Sequence, residues 1–138
     1  MKIGVPKEIK TLEFRVGMTP AGVRELVSDG HEVFVETNAG IGIGMDNADY
    51  TAAGATVLDS AEEVFKVADM IIKVKEPQLN ECAMLRPDQV LFTYLHLAAD
   101  PEQTRALVDS GTTAIAYETD TGLDLSLIHI SEPTRPTT

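Results

Sequence analysis

At 138 residues and 14.9 kDa, with 43% hydrophobic and 24% charged residues, the chain has room for one domain and one modest core. A formal net charge of −11 and a pI near 4.5 repel polyanions, so neither nucleic acid nor an anionic membrane surface is expected as a partner. The lone Cys82 excludes an intrachain disulfide and fits a reducing compartment. Met1 is not followed by the apolar run of a secretory signal, and no stretch approaches the ~20 apolar residues that span a bilayer, so a soluble, cytoplasmic protein is expected.

KIGV (Lys2–Val5) reads as a short strand stopped by Pro6. Residues 7–18 have no clean period and form a charged loop with Lys7, Glu8, Lys10, Glu13 and Arg15. Thr19 as N-cap, Pro20 at the first helical position and Gly30 as stop predict a helix that buries Val23, Leu26 and Val27. HEVFVE (His31–Glu36) alternates as a strand does, NAGIGIG reads as a flexible loop, and Asn47–Ala53 predicts a helix closed by Gly54. ATVLD is a brief strand, after which Ser60 and Glu63 have the spacing of a capping box for a helix through Phe65 and Val67. DMIIKVK (Asp69–Lys75) predicts a strand stopped by Pro77, and Gln78–Leu85 a short helix.

QVLFTYLHL (Gln89–Leu97) is nearly continuous in apolar residues, as a buried parallel strand is. Asp100 to Gln103 then cap a helix to Ser110, stopped by Gly111, and TTAIAYE (Thr112–Glu118) is a last strand. Strand and helix alternate about five times. That pattern predicts an α/β fold: an open, mostly parallel, Rossmann-like sheet with helices on both faces.

Ligands of such sheets bind at the carboxyl ends of the strands, where three groups fall. Arg15 lies in the loop after the first strand, Lys75 closes MIIKVK, and His96 ends VLFTYLHL, on the strand face that also carries Tyr94 and Phe92. Singly, each has an ordinary reading: a surface arginine, a solvated lysine at a strand end, a core histidine with a satisfied hydrogen bond. Together, in a strongly acidic chain, they suit a small carboxylate. Arginine can grip it through paired charge-assisted bonds, lysine can polarise a neighbouring carbonyl, and histidine can act as acid or base near neutral pH.

GIGIG (Gly40–Gly44) is spaced G-x-G-x-G rather than G-x-G-x-x-G, so it reads as a mobile surface loop and not as a dinucleotide fingerprint. Cys82 has no Cys or His at metal-ligand spacing, so no metal is expected. Glu118 by itself reads as an exposed carboxylate at a strand end.

The run MKIGVPKEIKTLEFRVGMTPAGVRELVSDGHEVFVETNAGIGIGMDNADYTAAGA, continued by DMIIKVKEPQ and LFTYLHLAAD, resembles the start of the alanine dehydrogenase family over residues 1–122. The resemblance implies NAD-dependent oxidative deamination of L-alanine to pyruvate and ammonium, and its reverse, by a protein that is a homo-oligomer, a hexamer by family. It also implies that Arg15 holds the substrate carboxylate, Lys75 contacts carboxylate and carbonyl, and His96 is the acid/base group, with support from Tyr94 and Glu118. The resemblance further implies that NAD is held mainly by a domain beyond the segment present, with no cofactor-binding residue expected within this segment.

The related transhydrogenase subunit shares the domain; Lys75 and His96 favour the dehydrogenase. Saccharopine dehydrogenases are more distant, and a non-catalytic module that binds carboxylates or oligomerises is the reading of another class. The last stretch, LSLIHISEPTRPTT, leaves the family pattern and has only LIHI as a possible strand. SLIHISEPTRP resembles a sequencing adapter translated in frame, so residues 123–138 are expected to be foreign, and His129 with them.

Overall fold

A computed structural model of the chain describes residues 1–93, 101–117 and 125–129. Its strands are β1 (Lys2–Val5), β2 (Glu32–Glu36), β3 (Thr56–Leu58), β4 (Met70–Ile72), β5 (Val90–Thr93), β6 (Thr113–Tyr117) and β7 (Leu125–His129). The helices are α1 (Pro20–Ser28), α2 (Asn47–Ala52), α3 (Ala61–Val67), α4 (Leu79–Cys82) and α5 (Pro101–Ser110). One sheet runs β3-β2-β1-β4-β5-β6-β7. The first six strands pair in parallel, and β7 adds antiparallel to β6. The expected parallel α/β sheet is what forms.

Local chemistry sets most boundaries. Thr19 caps α1 by accepting the Gly22 N–H at 3.2 Å, and Gly30, Gly54 and Gly111 follow their helices at φ 94°, 107° and 74°. α2 has a capping box that the sequence reading missed, with Asp46 and Asp49 bonding each other's N–H groups at 3.0 and 2.9 Å. The box expected at α3 is only half present. Ser60 accepts the Glu63 N–H, but the Glu63 carboxylate takes the Asp59 N–H at 3.4 Å instead of that of Ser60.

The period-two alternation of the strands splits the core between the two faces of the sheet. On one face Ile3, Val5, Val33 and Val35 pack under Val23 of α1 and Tyr50 of α2. On the other, Ile71, Leu91 and Ala114 pack under Val64 and Phe65 of α3, Cys82 of α4 and Leu107 of α5. Helices therefore cover both faces. Val90, Phe92 and Ile115, on the face of β5 and β6 turned away from α3 to α5, stay half-buried and join neither cluster.

Three expectations are corrected. β4 ends at Ile72, not Lys75, because the N–H groups of Val74 and Lys75 bond the Glu8 side chain and not a neighbouring strand. α4 is only Leu79–Cys82, since the chain turns through residues 83–87 to bring Gln89 under α3. GIGIG is an ordered 3-10 turn (Ile41–Ile43) whose Gly42 lies directly against the Phe14 carbonyl. In the terminal stretch, LIH (residues 127–129) falls within β7 at the sheet edge. Leu97 and Asp100, placed at a strand end and a helix cap from sequence, lie outside the described residues.

Candidate active site

The sheet grows from β1 toward β3 on one side and from β4 toward β7 on the other, so the topological switch point lies between β1 and β4. A crevice outside the carboxyl ends of two such strands is where open α/β sheets hold ligands. The loop after β1 carries Arg15, and the segment after β4 carries Lys75. Strand order, which no local pattern encodes, sets the two beside each other.

The first loop is pinned at several points. The Lys7 N–H donates to Glu36 at 2.8 Å, and the Tyr50 hydroxyl donates to the Met18 carbonyl at 2.8 Å. Lys10 pairs with the buried Glu76. Gly17 lies against the Ile72 carbonyl so closely that a Cβ there would clash with backbone. A cleft of about 280 Å³ opens beside the loop, walled by Glu8, Glu13, Arg15, Asn38, Ile41 and Gly42.

Within that cleft the Arg15 guanidinium meets Glu13 through a fork, Nε to Oε2 at 2.9 Å and Nη2 to Oε1 at 3.0 Å. The Glu13 side chain is 5% exposed and that of Arg15 is 63% exposed. Arg15 holds the Glu13 carboxyl below its usual range against an opposing desolvation, and the positive charge of Lys75 adds to the same lowering. Arg15 presents an ordered planar donor to the cleft, and Glu13 fixes its plane.

Beneath the cleft sits a buried ion cluster. Lys73 Nζ lies 3.1 Å from Glu8 Oε1 and 3.1 Å from Glu81 Oε2, with all three side chains at most 2% exposed. Glu8 also accepts the N–H of Val74 at 3.0 Å and of Lys75 at 3.1 Å, while Glu81 accepts that of Gln78 at 2.9 Å. Burial raises the Glu81 pKa, and Lys73 works against that shift. The neighbouring Cys82 thiol is pushed up to about 11 by burial, helped by the Glu81 charge, so it is no nucleophile near neutral pH.

Of the residues singled out from sequence, Arg15 lines the cleft after β1, and Lys75 lies in the segment after the neighbouring β4. His96, Tyr94 and Glu118 lie outside the described residues; Phe92 of β5 is described and half-buried. Sequence reasoning missed the parts played by Glu8, Glu13, Lys73 and Glu81. A signal existed for one: in DMIIKVK, Lys73 shares the strand face of buried Ile71, and a lysine there requires acidic partners.

The residues present do not fit a dinucleotide. The only glycine-rich turn among those described, Gly40–Gly44, lies between β2 and the short α2 and is closed by the contact of Gly42 with Phe14, which leaves no open cradle for a phosphate. Among the described residues no cluster of three or more His, Cys, Asp or Glu could hold a metal ion, and no helix is long and apolar enough to cross a membrane.

The family model for the alanine dehydrogenase/PNT N-terminal domain matches residues 4–124. The chain belongs to the alanine dehydrogenase/PNT family. It is 54% identical over 127 residues to the alanine dehydrogenase of Methanococcus maripaludis, covering 92% of this chain and 34% of that one. To the alanine dehydrogenase of Bacillus subtilis it is 56% identical over 119 residues, 86% of this chain and 31% of that one. Among solved structures, an L-alanine dehydrogenase superposes with a TM-score of 0.82 at 56% identity, over 86% of this chain and 33% of that one. A transhydrogenase from Sinorhizobium meliloti superposes at 0.78 with 30% identity, over 84% and 34%. The chain spans about a third of the length of the curated alanine dehydrogenases it matches.

Proposed function

We propose that the chain is the substrate-binding, N-terminal part of an NAD-dependent alanine dehydrogenase that interconverts L-alanine with pyruvate and ammonium. The observation that carries this reading is a cleft lined by Arg15 beside the switch point, with Lys75 in the segment after the neighbouring strand, in a chain 54–56% identical to proteins named alanine dehydrogenase. The identity to the transhydrogenase structure is 30%, which favours the dehydrogenase over the nearest alternative.

In this reading Arg15 grips the substrate carboxylate, and the Lys75 ammonium lies between that carboxylate and the C2 oxygen of pyruvate, withdrawing electron density from C2. His96 holds or delivers the proton as water adds to the C2 iminium, and again as ammonia leaves the carbinolamine. Tyr94 and Glu118 support the site. The hydride acceptor, NAD, belongs to the two thirds of the relatives' length that this chain does not span, and the full-length protein is a homo-oligomer, a hexamer by family resemblance. Residues 123–138 are taken as foreign. The match to the family model ends at residue 124, near the start of this stretch.

The test is a full-length chimera, residues 1–122 followed by the remaining two thirds of the Bacillus subtilis alanine dehydrogenase. His96→Ala is expected to abolish alanine-dependent NAD reduction while NAD binding, followed by fluorescence, persists; near-normal turnover would refute the assignment. Arg15→Ala is expected to raise the KM for alanine and pyruvate by the equivalent of about 1.5–3 kcal/mol, the worth of a lost charge-assisted bond. An unchanged KM would count against it.

A further inference from the structure

Lys75 belongs to neither a strand nor a helix, yet its peptide is fixed from both sides. Its N–H donates to Glu8 Oε1 at 3.1 Å, and its carbonyl accepts the hydroxyl of the fully buried Thr93 at 2.9 Å. The other Glu8 oxygen takes the Val74 N–H at 3.0 Å, so one carboxylate bonds two successive amides and sets the peptide plane between them. Lys73 neutralises that carboxylate at 3.1 Å, and Glu81 holds Lys73 from the opposite side.

A buried cluster of this kind is a weak source of stability, because desolvation offsets most of the attraction within it. Apolar residues would close the space beneath the loop equally well. They would not bond the amides of Val74 and Lys75. What the carboxylate adds is direction: it determines where the Lys75 side chain starts and which way it leaves the backbone.

We propose that Glu8 is a positioning residue for substrate binding, aiming Lys75 at the substrate by holding its backbone amide while Lys73 and Glu81 hold Glu8. The inference rests on the reading of Lys75 as a substrate contact and adds a residue to it.

The test is a double-mutant cycle in the full-length chimera, with steady-state KM and kcat for pyruvate in Glu8→Gln, Lys75→Ala and the double variant. Glutamine has one accepting oxygen for the two amides and no charge for Lys73. Glu8→Gln is expected to raise the KM for pyruvate about tenfold, within the range of coupling between contacting residues, and the double variant to be no worse than Lys75→Ala. A purely structural role would lower the active fraction, and so kcat, and leave KM alone.

An unchanged KM in Glu8→Gln, or a double variant whose effects multiply, overturns the proposal while the reading of Lys75 stands. An unchanged KM in Lys75→Ala overturns both. If Glu8→Gln does not fold, Glu8→Asp takes its place in the same cycle. It keeps the charge, withdraws it by one methylene, and carries the same expected rise and the same overturning result.

Discussion

Arg15 and Glu13 stand two residues apart in a loop without regular structure, and a fork of two hydrogen bonds gives Arg15 a defined plane. The loop backbone is placed by contacts that leave no room for a side chain. Gly42 is the sharpest case, because a Cβ there would fall inside contact distance of the Phe14 carbonyl and Cα, which are backbone atoms and cannot rotate away. Gly42→Ala is therefore expected to push Phe14 and Arg15 out of place and to destabilise the chain by about 1–3 kcal/mol, the usual cost of overpacking. Denaturant unfolding of this chain checks it, and an unchanged midpoint would show that the loop yields without cost. The sequence marked Arg15 and Lys75 because a cation at the ligand edge of an acidic chain is conspicuous. It left Glu8 and Glu13 among ordinary loop charges, because their partners are 65 residues away in one case and chosen by loop geometry in the other.

At the scale of elements, the signals that were legible act within a few residues: Thr19 and Pro20 at the start of α1, the glycines behind three helices, the alternation in β2. The end of β4 was not legible, since it depends on Glu8 reaching across from another loop to take the amides of Val74 and Lys75. β7 is the outermost element and lies beyond the residues that match the family model. Its antiparallel pairing covers the outer edge of β6, whose sequence TAIAY bears no charge. An uncharged strand edge left open is a template for other chains. Deleting residues 125–138 is accordingly expected to leave far-ultraviolet circular dichroism typical of the parallel sheet and its helices, and to increase aggregation with concentration in light scattering. Loss of the folded spectrum would mean instead that the sheet needs β7 to form.

For the molecule as a whole, two core clusters back the carboxyl ends of β1 and β4, and a cleft of about 280 Å³ lined by Glu8, Glu13 and Arg15 opens there. No dinucleotide cradle accompanies them among the described residues. This polypeptide alone is expected to show no alanine-dependent NAD reduction, and measurable turnover by the purified chain would overturn that expectation. The sequence by itself determined the α/β class, the succession of elements through α5, the acidic field and the family resemblance, because alternation, capping and composition act over a few residues or over the whole chain. Only the tertiary structure decided the strand order that sets the loop after β1 beside the segment after β4, and with it the buried cluster of Glu8, Lys73 and Glu81 under Lys75. Contacts between residues 65 and more positions apart become selective only when the sheet has formed, since desolvated charges accept no partner but the one the fold presents.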